Sequence, residues 1–361
     1  MIIMGFDKNN FLNLMKDNEL HLPRRWSNGD FQKELRNLYN YYIEKLASVV
    51  IKDDLKLIKR ICNLVLLSVE HYYNGYTSNS FRTFKSVMEE LMRRPFMIYQ
   101  KSGDIITVMD IDDLRLYRVR NVNENRVYTR KDIFHTPFLL RSKIGTFRYS
   151  IAGYPCLYLA TNLDLCILET PKTSNTQMTL AARFQIVRNN YENDYHNIKV
   201  IELGVKPQHF LGPTQEDLFT YDNERTINRL YEIDLTDIKV MRDYLLWYPV
   251  IAASSFIRIC KSDPFASEYI VPQLIMEWVR LSAKNNEYYG IRYFSCANER
   301  ASEIGMNYVF PTYYDKTSTT NYCSVLSKVF KLTEPVMVHN YLGEHDCQRG
   351  LDNFEVSSLF T

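Results

Sequence analysis

The period of the apolar residues changes near residue 100, and one kind of secondary structure cannot serve both sides of the change. Before it, Phe31, Leu35, Leu38 and Tyr42 recur at helical spacing, as do Leu55, Ile58, Ile61 and Val65, then Phe81, Phe84, Met88 and Leu91. Side chains three and four apart share one face of a helix, so each set predicts a helix with one buried stripe. Asn74-Gly75 and Pro95 separate or end these segments. After residue 100 the period shortens, and strand-like runs occupy 105–108, 114–119, 156–160, 183–187, 199–203 and 290–293. Helical patterns lie between them at 162–169, 233–246 and 272–282. The expectation is an α+β chain, with a small helical domain over 1–100 and a mixed-sheet domain over 101–361.

With 46% hydrophobic and 24% charged residues in 361 positions, the chain can bury a sizeable core, which excludes a disordered protein. A net charge of +2 gives no overall pull toward nucleic acid or a membrane surface. The seven cysteines are scattered and contain no CxxC pair, a usage that fits reduced thiols. Residues 1–7 lack the basic start and apolar core of a signal peptide, so the expected location is the cytoplasm. The apolar stretch 245–257 is interrupted by Pro249, Ser254 and Ser255 and is too short to span a bilayer, so it predicts a buried helix.

Common chemical signatures are missing. None of the 12 glycines forms GxG, so neither a dinucleotide fingerprint nor a phosphate-cradling loop is expected. HExxH and GxSxG are also missing. His339, His345 and Cys347 lie close together at a spacing that matches no common zinc pattern, and they read as polar loop residues, with no metal site expected. The stretch 316–321, rich in Ser and Thr, reads as a surface loop.

Charge singles out one segment. From Arg115 to Arg148 there are nine basic residues against two acidic ones, Glu124 and Asp132, and seven of the nine are arginines, whose planar fork suits phosphate oxygens. Such a run is either a solvated strand face or an anion pocket. Immediately after it, Gly153 and Pro155 can make a tight turn, 156–160 reads as a buried strand, and the next helix brings Glu169 back toward that strand. Arg148 and Glu169 therefore either share a cleft or form a structural ion pair.

Three linked stretches, Leu116-Tyr117-Arg118-Val119-Arg120, Phe134-His135-Thr136-Pro137-Phe138 and Arg148-Tyr149-Ser150-Ile151-Ala152-Gly153-Tyr154-Pro155-Cys156-Leu157-Tyr158-Leu159 with Glu169, resemble the first half of a RES domain. Tyr269-Ile270-Val271-Pro272-Gln273-Leu274-Ile275-Met276-Glu277-Trp278, followed by Gly290-Ile291-Arg292-Tyr293-Phe294-Ser295, resembles the second half. The likeness runs over 114–298, about half of the chain, with 170–264 as an insertion between the halves. It departs from the family at Arg148-Tyr149-Ser150, where many members carry Arg-Trp-Asn. The family is named for Arg, Glu and Ser, matched here by Arg118 or Arg148, by Glu169 and by Ser295.

The resemblance implies an ADP-ribosyltransferase-like catalytic domain that degrades NAD as a toxin, some members using inorganic phosphate as acceptor. NAD would be the substrate and phosphate the co-substrate, with no further cofactor, and an antitoxin or regulatory protein would be the partner. In that reading Glu169 stabilises the ribose cation, Arg118 and Arg148 grip the pyrophosphate or the attacking phosphate, and Tyr149 and Tyr158 stack on substrate or bond its hydroxyls. Ser295 would bond a phosphate or ribose oxygen. Arg120 shares a strand face with Arg118 and rivals it for the first arginine role. His135 either touches substrate or packs. Two other functions remain open: transfer of ADP-ribose to a protein or nucleic acid, and non-enzymatic binding of nucleic acid, although no recognised nucleic-acid module accompanies the charge.

Overall fold

The computed structural model describes residues 6–27, 29–94, 99–101, 104–106, 114–186, 200–212, 235–260, 262–282 and 289–360. It is an α+β chain with a helical amino-terminal region and a mixed sheet. The helices are α1 (Lys8–Met15), α2 (Phe31–Leu46), α3 (Lys52–Tyr73), α4 (Thr77–Leu91), α5 (Arg130–Ile133), α6 (Leu163–Glu169), α7 (Ile238–Ala253), α8 (Ile270–Ser282), α9 (Ala301–Ile304), α10 (Ser324–Val329) and α11 (Glu344–Asn353). Two compact units form, one from residues 1–107 with 205–278, the other from 108–204 with 279–361. This differs from the linear division at residue 100, because much of the segment read as an insertion packs with the amino-terminal helices.

In the first unit the stripes seen in the sequence face inward. Phe31, Leu35, Leu38 and Tyr42 of α2, Ile58, Ile61 and Val65 of α3, and Phe84, Met88 and Leu91 of α4 are all buried. Asp7 and Asp30 accept backbone N–H groups at the starts of α1 and α2, as short acidic side chains do at helix N-caps. Gly75, at φ +78, turns the chain between α3 and α4 in a conformation that side chains disfavour. Pro95 lies outside the described residues. The unit's most buried helix is α7, whose residues from Tyr244 to Ala253 are all inaccessible. Pro249 sits inside it, and the patterns read as a helix at 233–246 and as a buried helix at 245–257 fall in this one continuous helix. A proline has no N–H for the carbonyl four residues back, and that carbonyl, of Leu245, instead accepts the Tyr42 hydroxyl at 2.8 Å. Tyr39 donates to the Pro249 carbonyl at 2.7 Å. Nearby, burial pushes the Asp54 carboxyl upward, but Arg242 and Arg94, at 2.8 and 2.7 Å, hold it below the usual range. A short hairpin, β1 (Tyr99–Lys101) with β2 (Asp104–Ile106), also belongs here, and the strand expected over 105–108 runs beyond the described residues.

The second unit is built on an eight-stranded sheet of β3 (Arg115–Val122), β4 (Cys156–Ala160), β5 (Met178–Ile186), β6 (Val200–Leu203), β7 (Gly290–Phe294), β8 (Met306–Pro311), β9 (Phe330–Leu332) and β10 (Val336–Met337). Its order is β10-β5-β3-β4-β8-β7-β6, with β9 also paired to β5. Only β6 and β7 run parallel, and the other pairs are antiparallel. Across the parallel pair, Glu202 and Arg292 stand in register and form a buried ion pair. On one face, α6, α9 and α11 bury Leu163, Leu165, Cys166, Ala301, Cys347 and Leu351 against Tyr117, Val119, Ala160 and Ala181. All seven cysteines of the chain are free thiols. The loop at 316–321 is largely exposed, as its composition predicts. Among the described residues no helix is long and apolar enough to cross a membrane.

Candidate active site

The central strands and α6 position the site. Asn162 caps α6, its Oδ1 accepting the Leu165 N–H at 2.8 Å while its Nδ2 donates to the Ile304 carbonyl at 2.7 Å. Gly305 lets these loops approach, since a Cβ there would meet the Asn162 side chain at 2.6 Å. At the other end of the helix the Thr170 carbonyl accepts Asn121 Nδ2 from β3 at 3.0 Å. The helix is thus held at both ends, and its last residue is Glu169.

Glu169 is exposed, yet one of its oxygens is fixed. Oε1 accepts the Ser295 hydroxyl at 2.5 Å and Asn307 Nδ2 at 2.8 Å, while Oε2 has no hydrogen-bond partner among the described residues. Ser295 itself is fully buried, and its oxygen also accepts the Ala297 N–H at 3.1 Å. Its one hydrogen is spent on Glu169 and one of its lone pairs on Ala297, so in this arrangement Ser295 holds the glutamate in place. Asn307, the second residue of β8 and opposite Ala160 and Tyr293, has no counterpart among the residues singled out from sequence. A buried amide in an apolar strand needs a partner, and Glu169 supplies it.

Tyr293 joins the glutamate to the arginine turn. Burial raises its phenol far above the usual range, Glu169, Tyr158 and Tyr149 raise it further, and Arg148 opposes them. The ring of Tyr149, expected to stack on substrate or bond its hydroxyls, lies 4.6 Å from that of Tyr293 and is buried, so it packs inside the protein. Arg148 and Tyr149 are the central residues of a tight turn closed by reciprocal bonds between Phe147 and Ser150, at 2.8 and 3.1 Å. Phe147, which opens the turn, and Ile151, which follows it, are exposed. Tyr158 is half-buried, with its hydroxyl 2.9 Å from Ser150 Oγ.

The basic segment divides by partner. Arg115 pairs with Asp352, Arg126 with Asp132, and Arg130 with Glu334. Arg118 and Arg120 meet only carbonyls, of Tyr158 at 2.8 Å and Asp132 at 2.6 Å, and neither has a carboxylate partner among the described residues. Burial and the adjacent Arg120 push the Arg118 guanidinium down to about 10. Two neighbouring cations without a counter-ion attract an anion. His135 is fully buried, with Nδ1 2.8 Å from the Thr136 carbonyl and Nε2 accepting the Cys323 N–H at 2.8 Å. Both ring nitrogens are taken, so His135 packs and does not touch substrate. Near the carboxyl end, His345 lies 3.5 Å from Asp164, and Cys347 belongs to the core.

The chain is similar to "Putative toxin YopC" of Bacillus subtilis (strain 168), being 27% identical over 346 residues that cover 91% of this chain and 70% of that protein. No protein-family model matches the chain, and no solved structure matches it.

Proposed function

We propose that this chain is a toxin that degrades NAD by cleaving the nicotinamide–ribose bond, through an ADP-ribosyltransferase-like unit of the RES type. The observation that carries the reading is the 2.5 Å bond between Ser295 and Glu169, 126 residues apart. Glu and Ser of the expected set are thereby bonded to each other, and Arg118 and Arg120, which meet only backbone carbonyls, supply positive charge that suits an anion. The likeness to a Bacillus protein described as a toxin supports the biological half.

The chemistry suits these groups. When the C–N bond breaks, its electron pair cancels the pyridinium charge, so nicotinamide leaves neutral and no general acid is needed. Positive charge gathers on the ribose C1′ and ring oxygen, as in glycoside cleavage. The open oxygen of Glu169 stabilises that charge and accepts a ribose hydroxyl, while Ser295 and Asn307 keep the carboxylate from turning away. Arg118, Arg120 and Arg148 neutralise the diphosphate or an attacking phosphate. Phosphate bonding to C1′ gives a ribosyl 1-phosphate, whereas water gives ADP-ribose and releases a proton. NAD enters as substrate, in the cytoplasm where it is plentiful, and an antitoxin or regulatory protein restrains the enzyme.

The test is to incubate the purified chain with NAD, with and without phosphate, and to weigh the products. Free nicotinamide with ADP-ribose 1″-phosphate is the expected result in phosphate. ADP-ribose attached to protein or nucleic acid would identify a transferase, and intact NAD would overturn the reading.

A further inference from the structure

The side chain of Glu169 is held from one side of β4, and the backbone beside it is held from the other. Ser295, just beyond β7, and Asn307 of β8 grip Oε1. In the sheet order β5-β3-β4-β8-β7 these lie on one side of β4, the strand that leads into α6, and Asn121 of β3 lies on the other. Asn121 Nδ2 reaches the carbonyl of Thr170, the residue that follows Glu169 and ends the helix, at 3.0 Å. The last carbonyls of a helix have no partner within it, so a donor from outside is what keeps the final turn from fraying.

Tyr117, Val119 and Asn121 alternate on β3 and so share the face on which α6 packs Leu163, Leu165 and Cys166. Asn121 interrupts an otherwise apolar row there. Opposite it in register on β5 stands Thr179, which is buried and donates its hydroxyl to Asn121 Oδ1 at 3.0 Å. Chemistry fixes the direction of both bonds. The Thr170 carbonyl can only accept, so the amide turns Nδ2 toward it; Oδ1 then faces Thr179 and can only accept, so the hydroxyl donates. Thr179 thereby holds the amide in the orientation that serves the helix end.

We infer that Asn121, oriented by Thr179, is a positioning residue for Glu169. It acts through the backbone at Thr170 and not on substrate. With Oε1 held from β7 and β8, and the chain held one residue later from β3, the torsions of Glu169 between these anchors are set and Oε2 points in one direction. Losing the Asn121 bond frees the backbone end of that span, and a catalytic group displaced by about 1 Å can lose about a hundredfold in rate. The inference rests on the proposed role of Glu169 in NAD cleavage for its kinetic consequence, whereas the anchoring of the helix end is read without NAD.

The experiment compares the native full chain with Asn121→Asp, Thr179→Val, Thr179→Ser and Asn353→Asp in nicotinamide release from NAD and, without NAD, in hydrogen exchange of the backbone amides from Cys166 to Thr170. Aspartate keeps the shape of Asn121 and still accepts from Thr179, but it cannot donate to Thr170. Asn121→Asp should lower kcat at least about tenfold with KM within about threefold, and should speed exchange at the helix end at least about tenfold. Thr179→Val should move both in the same direction by less, and Thr179→Ser, which keeps the donor, should leave both native. Asn353 also donates its Nδ2 to a helix carbonyl, that of Arg349 in α11 at 3.0 Å, and Asn353→Asp should change neither. A merely structural bond would lower the melting temperature of Asn121→Asp and leave kcat native, and that result, or native exchange, would overturn the inference. Should Asn121→Asp not fold, Thr179→Val against Thr179→Ser decides the same question. A native chain that releases no nicotinamide would refute the NAD reading, and exchange alone would then decide whether Asn121 anchors Glu169.

Discussion

Glu169 is legible in the sequence because a short helical pattern ends on it directly after a strand, but its state is not. That state depends on Ser295 and Asn307, which reach it from β7 and β8. Removing the Asn307 donor, as in Asn307→Ala, should lower kcat about tenfold while KM for NAD moves less than about threefold, because a loosened carboxylate is felt most in the transition state. Steady-state kinetics on a variant of unchanged melting temperature checks this. Arg148→Lys keeps charge but loses the two-donor fork, so NAD or phosphate use should weaken about ten- to a hundredfold. A fully active lysine variant, with Arg148→Ala losing only stability, would make Arg148 structural. His135 carries a prediction about pH. Burial holds it down to about 4 from an ordinary value of 6.5, so the folded state keeps it neutral while the unfolded chain takes up a proton below 6.5. Its contribution to stability is full above pH 6.5 and is lost as pH falls toward 4, by at most about 3 kcal/mol. Melting temperatures from pH 7 to 4 should show that slope in the native chain and a shallower one in His135→Gln.

At the scale of elements, periodicity locates helices and central strands well, because a buried stripe or a continuous apolar run leaves a local trace. The pattern at 156–160 coincides with β4, and that at 162–169 with α6 and its cap. The weakly marked strands are the edge pieces β9 and β10, three and two residues long, which form only because β5 offers its edge. Asn307 is hidden for the same reason: a polar residue within β8 gains its meaning from the strands beside it. What satisfies the Leu245 carbonyl where α7 crosses Pro249 is likewise invisible locally, since the Tyr42 hydroxyl that replaces the missing bond is 203 residues away. Two substitutions test these supports. Tyr42→Phe leaves the Leu245 carbonyl unmatched and should cost about 1 to 3 kcal/mol in denaturant unfolding. Asn162→Ala removes the α6 cap and should cost about 1 kcal/mol, with a larger loss of activity than of stability because α6 carries Glu169.

For the whole molecule, the α+β class is legible, whereas the assignment of 205–278 to the helical unit is not. Composition tells that α7 is buried and cannot tell beside what; only the folded chain returns it to helices nearly two hundred residues earlier. Expression of the full chain should lower cellular NAD before growth stops, and growth arrest at constant NAD would contradict the toxin mechanism. The most direct measurement of the central claim is nicotinamide release from NAD by the native chain and by Glu169→Gln. The amide oxygen can still accept Ser295 and Asn307, so the variant should melt like the native protein and bind substrate, while the lost charge lowers turnover at least about a hundredfold. Nicotinamide released at equal rates by the two proteins, or by neither, would contradict the account.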